Sequence, residues 1–276
     1  MKTINRPIAG MTALLCAAGL MIAGTTGAQA AEPVDLTLLD GGNLVVNGDF
    51  SYPDFDCVDD HGLNWIYVYP DKGAAAGWAP VVQAEKVPGL SVESFGWTTD
   101  DLGEGQGFEL HREKDGNVSA LVHPGRLNGQ LIDTIPGAVY MVRFRVAGRA
   151  ASSGMGRMQV MVGPKGQERP LTVTLVESSE TGRAHGQTEG WTGTVIDAWS
   201  DGPDAGQDAG NPQWDHSHDW QTYEGVYTAT TSETNYAWTN INETGGVVID
   251  DLSFEVSWPL TYSLNGGTGI IPNKEQ

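Results

Sequence analysis

The 276-residue chain carries 35 acidic side chains against 15 Lys and Arg, which gives a formal net charge of −20. Such acidity argues against a nucleic acid or an anionic lipid surface as the partner, because both are polyanions. The 37 glycines and 14 prolines favour many short strands joined by turns over long helices.

Residues 1–30 have the features of a secretory signal peptide. Lys2 and Arg6 precede an apolar run, and Ala28-Gln29-Ala30 fits a small-residue cleavage site. We therefore predict an exported protein whose mature chain begins near Ala31. Later stretches fall short of the ~20 apolar residues of a membrane span, so the mature chain is not expected to insert directly into a membrane.

Two long stretches in the middle of the chain show the period-2 alternation of half-buried strands. Ile135-Pro136-Gly137 supplies the turn into the first, since Pro fixes φ and Gly allows φ > 0. Each predicted strand offers an apolar side to a common core. The apolar positions are Tyr140, Val142, Phe144 and Val146 in the first stretch, and Met158, Val160 and Val162 in the second.

Further short apolar stretches, bounded by turn residues, recur along the chain. The predicted strands are residues 43–47, 65–69, 80–87, 107–112, 118–122, 129–134, the central pair, 171–177, 194–199, 220–230, 235–242 and 247–256. This spacing predicts an all-β fold, a jelly-roll β-sandwich over residues 43–258. Residues 31–42 form a lead-in, and residues 259–276 form a tail.

These pieces, in this order, resemble a galactose-binding-like jelly-roll module, the architecture of many carbohydrate-binding modules. The matching pieces are Asn43–Phe50, Gly77-Trp78, Phe95–Trp97, Phe108–Leu110, Ile135–Tyr140, Gly148-Arg149, Met158–Gly163, Trp220 with Gly225 and Tyr227, and Val248–Phe254. The resemblance implies a non-catalytic extracellular module that binds a glycan. Residues 260–269 resemble the opening of a Listeria–Bacteroides (internalin B-type) repeat, which implies a secreted or cell-surface protein of a Gram-positive-type envelope.

Exposed aromatic rings are candidate glycan contacts, because a flat ring can stack on the C–H face of a sugar. The aromatic residues expected in or beside loops are Trp65, Tyr67, Tyr69, Trp97, Trp191, Trp199 and Trp214. The resemblance instead assigns a structural role in the core to Trp78, Trp220, Tyr140 and Tyr227.

One carboxylate near the end of the chain is expected inside the fold. Asp250 shares the parity of Leu252 and Phe254, and an unpaired charge in the interior is costly. The resemblance implies a structural Ca²⁺ held by Asp250 and Asp49 together with backbone carbonyls around Asn47. The alternative is that Asp250 accepts hydrogen bonds from the loop of the first strand.

Catalysis has few candidates. His216 and His218 point the same way in an extended segment, and Asp215 or Asp219 would complete a metal set for a metal-dependent hydrolase. Acidic residues around Glu109 are too common to indicate a glycosidase pair, and no Gly-x-Ser-x-Gly motif occurs. We predict that the chain is not an enzyme. The alternative to glycan binding is a structural or adhesive spacer that contacts a host or cell-surface protein.

Overall fold

The computed structural model describes residues 42–58, 63–77, 79–99, 107–125, 127–149, 155–200, 214–242 and 246–257. Within these residues the chain is almost entirely β. The strands are β1 (Trp65–Tyr69), β2 (Gly73–Ala76), β3 (Val82–Gln83), β4 (Thr98–Thr99), β5 (Phe108–Arg112), β6 (Val118–Val122), β7 (Asn128–Asp133), β8 (Val139–Gly148), β9 (Gly156–Gly163), β10 (Arg169–Pro170), β11 (Val173–Glu177), β12 (Thr192–Gly193), β13 (Ile196–Ala198), β14 (Gln221–Thr228), β15 (Glu233–Asn240) and β16 (Val247–Val256).

The helices among the described residues are short. They are α1 (Phe55–Val58), α2 (Val92–Phe95), α3 (Glu180–Ala184) and a 3₁₀ turn at Ala84–Lys86. In α2 the side chain of Ser91 accepts a hydrogen bond from the backbone N–H of Ser94, and the helix ends at Gly96, whose φ of 82° suits glycine. Described residues contain no helix long and apolar enough to cross a membrane.

The strands form two antiparallel sheets. The ten-stranded sheet has the order β12-β11-β14-β8-β16-β6-β5-β1-β2-β3, and the smaller sheet has the order β10-β9-β15-β7-β4 with β13 paired to β9. From β6 onward the chain crosses repeatedly from one sheet to the other. Strands β6, β8, β14 and β16 lie in the larger sheet, and β7, β9 and β15 lie in the smaller. This wrapping confirms the predicted all-β jelly-roll sandwich.

The two central strands face each other across the core. Tyr140 and Phe144 on β8 and Met158 on β9 are fully buried, as their parity predicts. The two strands belong to different sheets, however, because β8 pairs with β14 and β16, whereas β9 pairs with β15, β10 and β13. The two strands therefore share one hydrophobic core without pairing through backbone hydrogen bonds.

The predicted first strand at residues 43–47 does not form. Its place beside β16 is taken by single contacts: the N–H of Leu44 donates to the carbonyl of Phe254 (3.0 Å), and the side chain of Asn43 accepts from the N–H of Phe254 (3.0 Å). Asn47 and Phe50 have positive φ values of 53° and 49°, which ends extended structure. A Cβ on Gly48 would lie 2.2 Å from the carbonyl oxygen of Leu252, so this close approach requires glycine.

A β-bulge interrupts β16. Its register with β8 shifts between Asp250 and Ser253, and Asp251 has a φ of +51°. Before the bulge Ile249 points into the core, and after it Leu252 and Phe254 do. The extra residue therefore reverses the parity, and the prediction that Asp250 shares a face with Leu252 is wrong.

Two of the fully buried tyrosines of the core, Tyr140 and Tyr236, provide a matched test of the fold. The hydroxyl of Tyr140 accepts a hydrogen bond from the N–H of Ile135 (2.8 Å), whereas that of Tyr236 has no partner among the described residues. We expect Tyr140→Phe to lower the free energy of unfolding by about 1–2 kcal/mol, because a donor loses its acceptor. Tyr236→Phe should be neutral or stabilising. Urea unfolding measures both, and equal losses would contradict the prediction.

Candidate functional site

The outer face of the ten-stranded sheet, turned away from the core, carries several buried polar side chains. On β5, Phe108 and Leu110 belong to the core, so alternation places Glu109 and His111 on the outer face. They are nevertheless only 4 % and 0 % exposed. The residues on the same face of neighbouring strands are Trp65, Tyr67 and Tyr69 on β1, Ser119 and Leu121 on β6, Val248 and Asp250 on β16, and Arg143, Arg145 and Ala147 on β8.

Residues Trp214–Trp220, which we call the covering segment, lie over part of this face. The N–H of Lys114 donates to the carbonyl of Trp214 (2.9 Å). The Trp214 indole stacks on the His111 imidazole with centroids 3.9 Å apart and planes within 1°. The guanidinium of Arg149 lies 5.3 Å from the centroid of the same indole. Trp214 is thereby buried, and it shields His111 from solvent.

Glu109 is the anion at the centre of this face. Its Oε1 lies 2.8 Å from Nε2 of His111 and 3.4 Å from Nη2 of Arg149, and its Oε2 lies 3.7 Å from Nε2 of His123. The hydroxyl of Tyr67 also hydrogen-bonds to it. Burial alone would raise the pKa of Glu109, but the His111 hydrogen bond and the surrounding positive groups outweigh burial and lower the pKa to about 2.

His111 is the uncharged partner in this pair. Burial lowers the pKa of His111, because the protonated ring would lose its hydration. Nδ1 of His111 has no hydrogen-bond partner among the described residues, which suits a lone pair better than an N–H. Nε2–H then donates to Glu109, so a neutral imidazole satisfies an ionised carboxylate.

A second carboxylate fixes the covering segment from below. Glu113 directly follows β5, and its Oε1 lies 2.8 Å from Nδ1 of His216 and accepts from the hydroxyl of Ser119 (3.1 Å). Its Oε2 accepts from the backbone N–H of His216 (3.2 Å). At the far end of the segment, Asp219 accepts from the hydroxyls of Thr181 (2.6 Å) and Ser200 (2.7 Å). Two buried carboxylates thus hold both halves of the segment.

A cleft of about 660 Å³ opens beside the covering segment. One wall belongs to the covering segment and the other to the turn between β5 and β6, with Arg145 of β8 between them. The lining residues are Glu113, Lys114, Asp115, Asn117, Arg145, Asp215, His216, Ser217 and Trp220. The lining therefore combines one indole with amide, guanidinium, hydroxyl and carboxylate groups.

Asp250 lies under this cleft. Its Oδ2 accepts from Nη2 of Arg145 (2.6 Å) and from Nδ2 of Asn117 (2.8 Å), and its Oδ1 accepts from the N–H of Asp251 (2.7 Å). Burial raises the pKa of Asp250 to about 7, against the opposing effects of Arg145 and Asn117. Arg145 also reaches Asp251 (3.0 Å) and lies over the Trp220 ring, 4.6 Å from its centroid. The expectation that Asp250 needs a partner is met by groups other than the first-strand loop.

The contacts of Asp49 and Asp250 do not fit a calcium ion held between them. Both oxygens of Asp250 are occupied, one of them by a guanidinium, and Asp49 uses its Oδ1 to accept from the N–H and hydroxyl of Ser51. Among the described residues, no group of three or more His, Cys, Asp and Glu side chains is placed to hold a metal. Calcium binding stays a prediction from the family resemblance.

Two of the predicted ligand-binding tryptophans offer no ring face to a ligand. Trp97 is 0 % exposed, packs against Trp238 in the core with centroids 4.4 Å apart, and donates from Nε1 to the carbonyl of Asn47 (3.0 Å). Trp214 is 1 % exposed, because its ring stacks on His111 and the Arg149 guanidinium lies over it. The prediction that Trp97 and Trp214 are open to a ligand is therefore wrong. Their position near loops in the sequence does not reveal which residues pack over them.

The other predicted rings differ in exposure. Trp65, Tyr67 and Tyr69 form a row on β1, with successive centroids 5.6 and 6.5 Å apart. Trp65 is 8 % exposed, whereas both tyrosines are half-buried. Trp199 is half-buried and stacks on the exposed His185 (3.8 Å, 3°). These rings stay candidates for ligand contact.

The two histidines of the hydrolase alternative do not converge. His216 is buried against Glu113, whereas the side chain of His218 is 73 % exposed and lies 3.4 Å from Glu180. The turn closed by the hydrogen bond from the N–H of Asp219 to the carbonyl of His216 (2.9 Å) replaces the expected extended segment. A shared metal between these imidazoles is therefore not supported.

Sequence reasoning missed the residues that make the cleft. The family resemblance assigns Trp220 to the core, and the sequence pattern does not distinguish Asn117, Arg145 and Glu113 from other polar residues. The available signal is the alternation of Glu109, His111 and Glu113 within and directly after β5, which marks a charged face. Trp214 buries His111 and His216 buries Glu113, and a contact such as that of His216 with Glu113, 103 residues apart, has no local signature in the sequence.

Comparisons with known proteins give structural likenesses only. No family model matches the chain, and no curated protein matches it. Among solved structures, it is similar to one described as "CBM4 structure and function", with 12 % identity, a TM-score of 0.35, and coverage of 77 % of this chain and 99 % of that one. The CBM22-1 xylan-binding domain of Paenibacillus barcinonensis Xyn10C shows 11 % identity and a TM-score of 0.33, covering 59 % and 86 %. TmCBM61 in complex with β-1,4-galactotriose shows 11 % identity and a TM-score of 0.34, covering 58 % and 88 %.

The Glu109–His111 pair predicts a loss of stability in acid. The pKa of His111 is lower in the folded protein than the ordinary histidine value of about 6.5. As the pH falls below about 6.5, the unfolded chain therefore binds a proton that the folded protein does not, and the free energy of unfolding decreases. We expect the wild type to lose more unfolding free energy between pH 8 and pH 5 than His111→Gln, which keeps a donor to Glu109 but does not titrate. Urea unfolding at both pH values measures this. If the wild type and His111→Gln lose the same free energy of unfolding, protonation of His111 is not the source of the acid sensitivity.

Chelation separates the two roles of Asp250. The family resemblance predicts that EDTA lowers the melting temperature and that Asp250→Ala abolishes this response, since a ligand bound only to the folded state stabilises it. The observed pairing with Arg145 predicts that Asp250→Ala destabilises the protein equally with and without EDTA. Thermal unfolding of both proteins decides between the two, and a wild-type curve unchanged by EDTA removes the calcium prediction.

Proposed function

We propose that this chain is a glycan-binding module that recognises carbohydrate without transforming it, on the outer face of the ten-stranded sheet. The observation that carries the proposal is the cleft of about 660 Å³, in which the Trp220 indole meets the side chains of Asn117, Arg145, Asp215 and Ser217. A sugar presents hydroxyl groups around an apolar ring face, so it needs planar hydrogen-bonding groups beside an aromatic surface.

The charges around the cleft favour an uncharged glycan. Arg145 is paired with Asp250 (2.6 Å) and Asp251 (3.0 Å), and Lys114 lies 3.8 Å from Asp215. A polyanionic glycan would have to displace these internal partners while meeting the carboxylate of Asp115. A neutral chain needs only hydrogen bonds from groups that are already oriented.

The aromatic row on β1 extends the same surface. Four strand spacings separate β1 from β8 in the sheet, which corresponds to roughly 19 Å at about 4.8 Å per strand. The covering segment lies between the two ends. An extended oligosaccharide could therefore contact Tyr67 and Tyr69 as well as the cleft, and we retain Trp65 beside them and Trp199 as further contacts.

The buried carboxylates support recognition over catalysis. Glycoside hydrolysis needs two carboxyl groups with access to the glycosidic bond. Glu109 and Glu113 are 4 % and 6 % exposed, and their oxygens are taken by internal donors. The proposal includes export through residues 1–30 and display at a cell surface.

A glycan array tests the proposal on residues 31–276. We expect binding to neutral glycans above background, and a loss of about tenfold or more in affinity for Trp220→Ala, as is typical of an aromatic hot spot. Asn117→Ala should also weaken binding, while it leaves Asp250 paired with Arg145. Trp191→Ala is the matched control for the cleft: the sequence also made Trp191 a candidate contact, but this 38 % exposed ring packs against Tyr223 on β14 and does not line the cleft.

The other outcomes of the array distinguish the alternatives. An array without signal would reject glycan binding and favour the spacer alternative. Equal losses for Trp220→Ala and Trp191→Ala would place the binding surface elsewhere. Preferential binding of uronate or sulfated glycans would contradict the charge argument.

A further inference from the structure

Glu113 joins the two walls of the cleft. On the side of the covering segment its carboxylate accepts from Nδ1 and the backbone N–H of His216, at 2.8 and 3.2 Å. On the side of the β5–β6 turn its backbone N–H donates to the carbonyl of Asn117 (2.7 Å), and its own carbonyl accepts from Gly116 (3.0 Å). Its carboxylate also accepts from Ser119 at the start of β6.

The covering segment is the wall that Glu113 supports, and its side chains line the cleft. Asp215, Ser217 and Trp220 belong to the covering segment and line the cleft together with His216, which is only 1 % exposed because its ring contacts Glu113. The side chain of His216 therefore acts as the anchor of this wall. Its ring is held by a residue that lies 6 % exposed beneath the wall.

We propose that Glu113 is a positioning residue for the cleft, which acts through His216 to hold the covering segment against the sheet. This inference rests on the proposed function for its purpose, since a fixed wall keeps the hydrogen-bonding groups oriented before the glycan arrives. Preorganisation of this kind reduces the ordering cost of binding.

A carboxylate is required at this position by the number of donors. Two N–H groups of His216 and the hydroxyl of Ser119 all point at the two oxygens of Glu113. An amide has only one oxygen acceptor, and its NH₂ group would face a donor. Glu113→Gln therefore removes hydrogen bonds to a charged group while it leaves the size of the side chain almost unchanged.

The covering segment offers a matched control at its other side. Glu180 and His218 form a second Glu–His contact at 3.4 Å, but both side chains are 73 % exposed. An exposed pair of this kind contributes little to stability. Glu180→Gln thus makes the same chemical change to the same type of pair, on the same segment, without removing a buried anchor.

The test is amide hydrogen exchange of the full chain without ligand. We expect Glu113→Gln to speed exchange at His216 and at Lys114, whose N–H bonds to Trp214, by about tenfold, while amides of β8 and β16 are unchanged. Glu180→Gln should leave all of these rates unchanged. Acrylamide quenching of indole fluorescence should rise in Glu113→Gln alone.

A second pair of variants keeps the proposal testable if Glu113→Gln does not fold. His216→Asn retains a donor near the place of Nδ1 and should keep exchange slow, whereas His216→Leu should speed it. Uniform acceleration across both sheets would show a merely structural role and overturn the proposal, as would unchanged exchange in Glu113→Gln or in His216→Leu. These readouts need no glycan, so a failed array would reject the proposed function separately.

Discussion

A carboxylate that leaves water must find donors or cations, because the desolvation of an ion in a protein costs several kcal/mol. Three carboxylates on the outer face of the ten-stranded sheet meet this requirement in different ways. Glu109 is satisfied by His111 and Arg149, Glu113 by His216, and Asp250 by Arg145 and Asn117. The partners come from β5, the β5–β6 turn, the covering segment and the region of β8. Satisfying these buried charges therefore determines how the face is assembled.

The two faces of the ten-stranded sheet have different roles. The inner face packs apolar residues against the smaller sheet and supplies the stability of the sandwich, as is usual for two packed sheets. The outer face is covered by a segment whose orientation depends on ion pairs and ring stacking. Its cleft can change in chemistry without altering the core, because residues such as Asn117 and Ser217 belong to turns outside the strands. Such a separation suits a binding module.

The fold was largely predictable because alternation is a local property of the sequence. Strands β6 and β16 have the predicted bounds, and the apolar parity of β8 and β9 identifies the core. Three features escaped prediction for physical reasons. The first segment lacks strand pairing because its turns need positive φ, the bulge in β16 reversed the parity of Asp250, and Trp97 is buried by distant aromatic residues. The site itself depends on contacts such as Glu113 with His216, which only the folded chain brings together.

The single extra residue in β16 has a consequence for comparing this chain with its relatives. Upstream of the bulge, odd-numbered positions such as Ile249 face the core, whereas downstream the even-numbered positions Leu252 and Phe254 do. Deletion of Asp251 would leave a regular strand in which Ile249, Leu252 and Phe254 still face the core, because the bulge accommodates one extra residue without exchanging the two faces. Homologous sequences that keep the architecture are therefore expected to tolerate a one-residue gap at this point, whereas a one-residue gap elsewhere in β16 would exchange inside and outside over part of the strand.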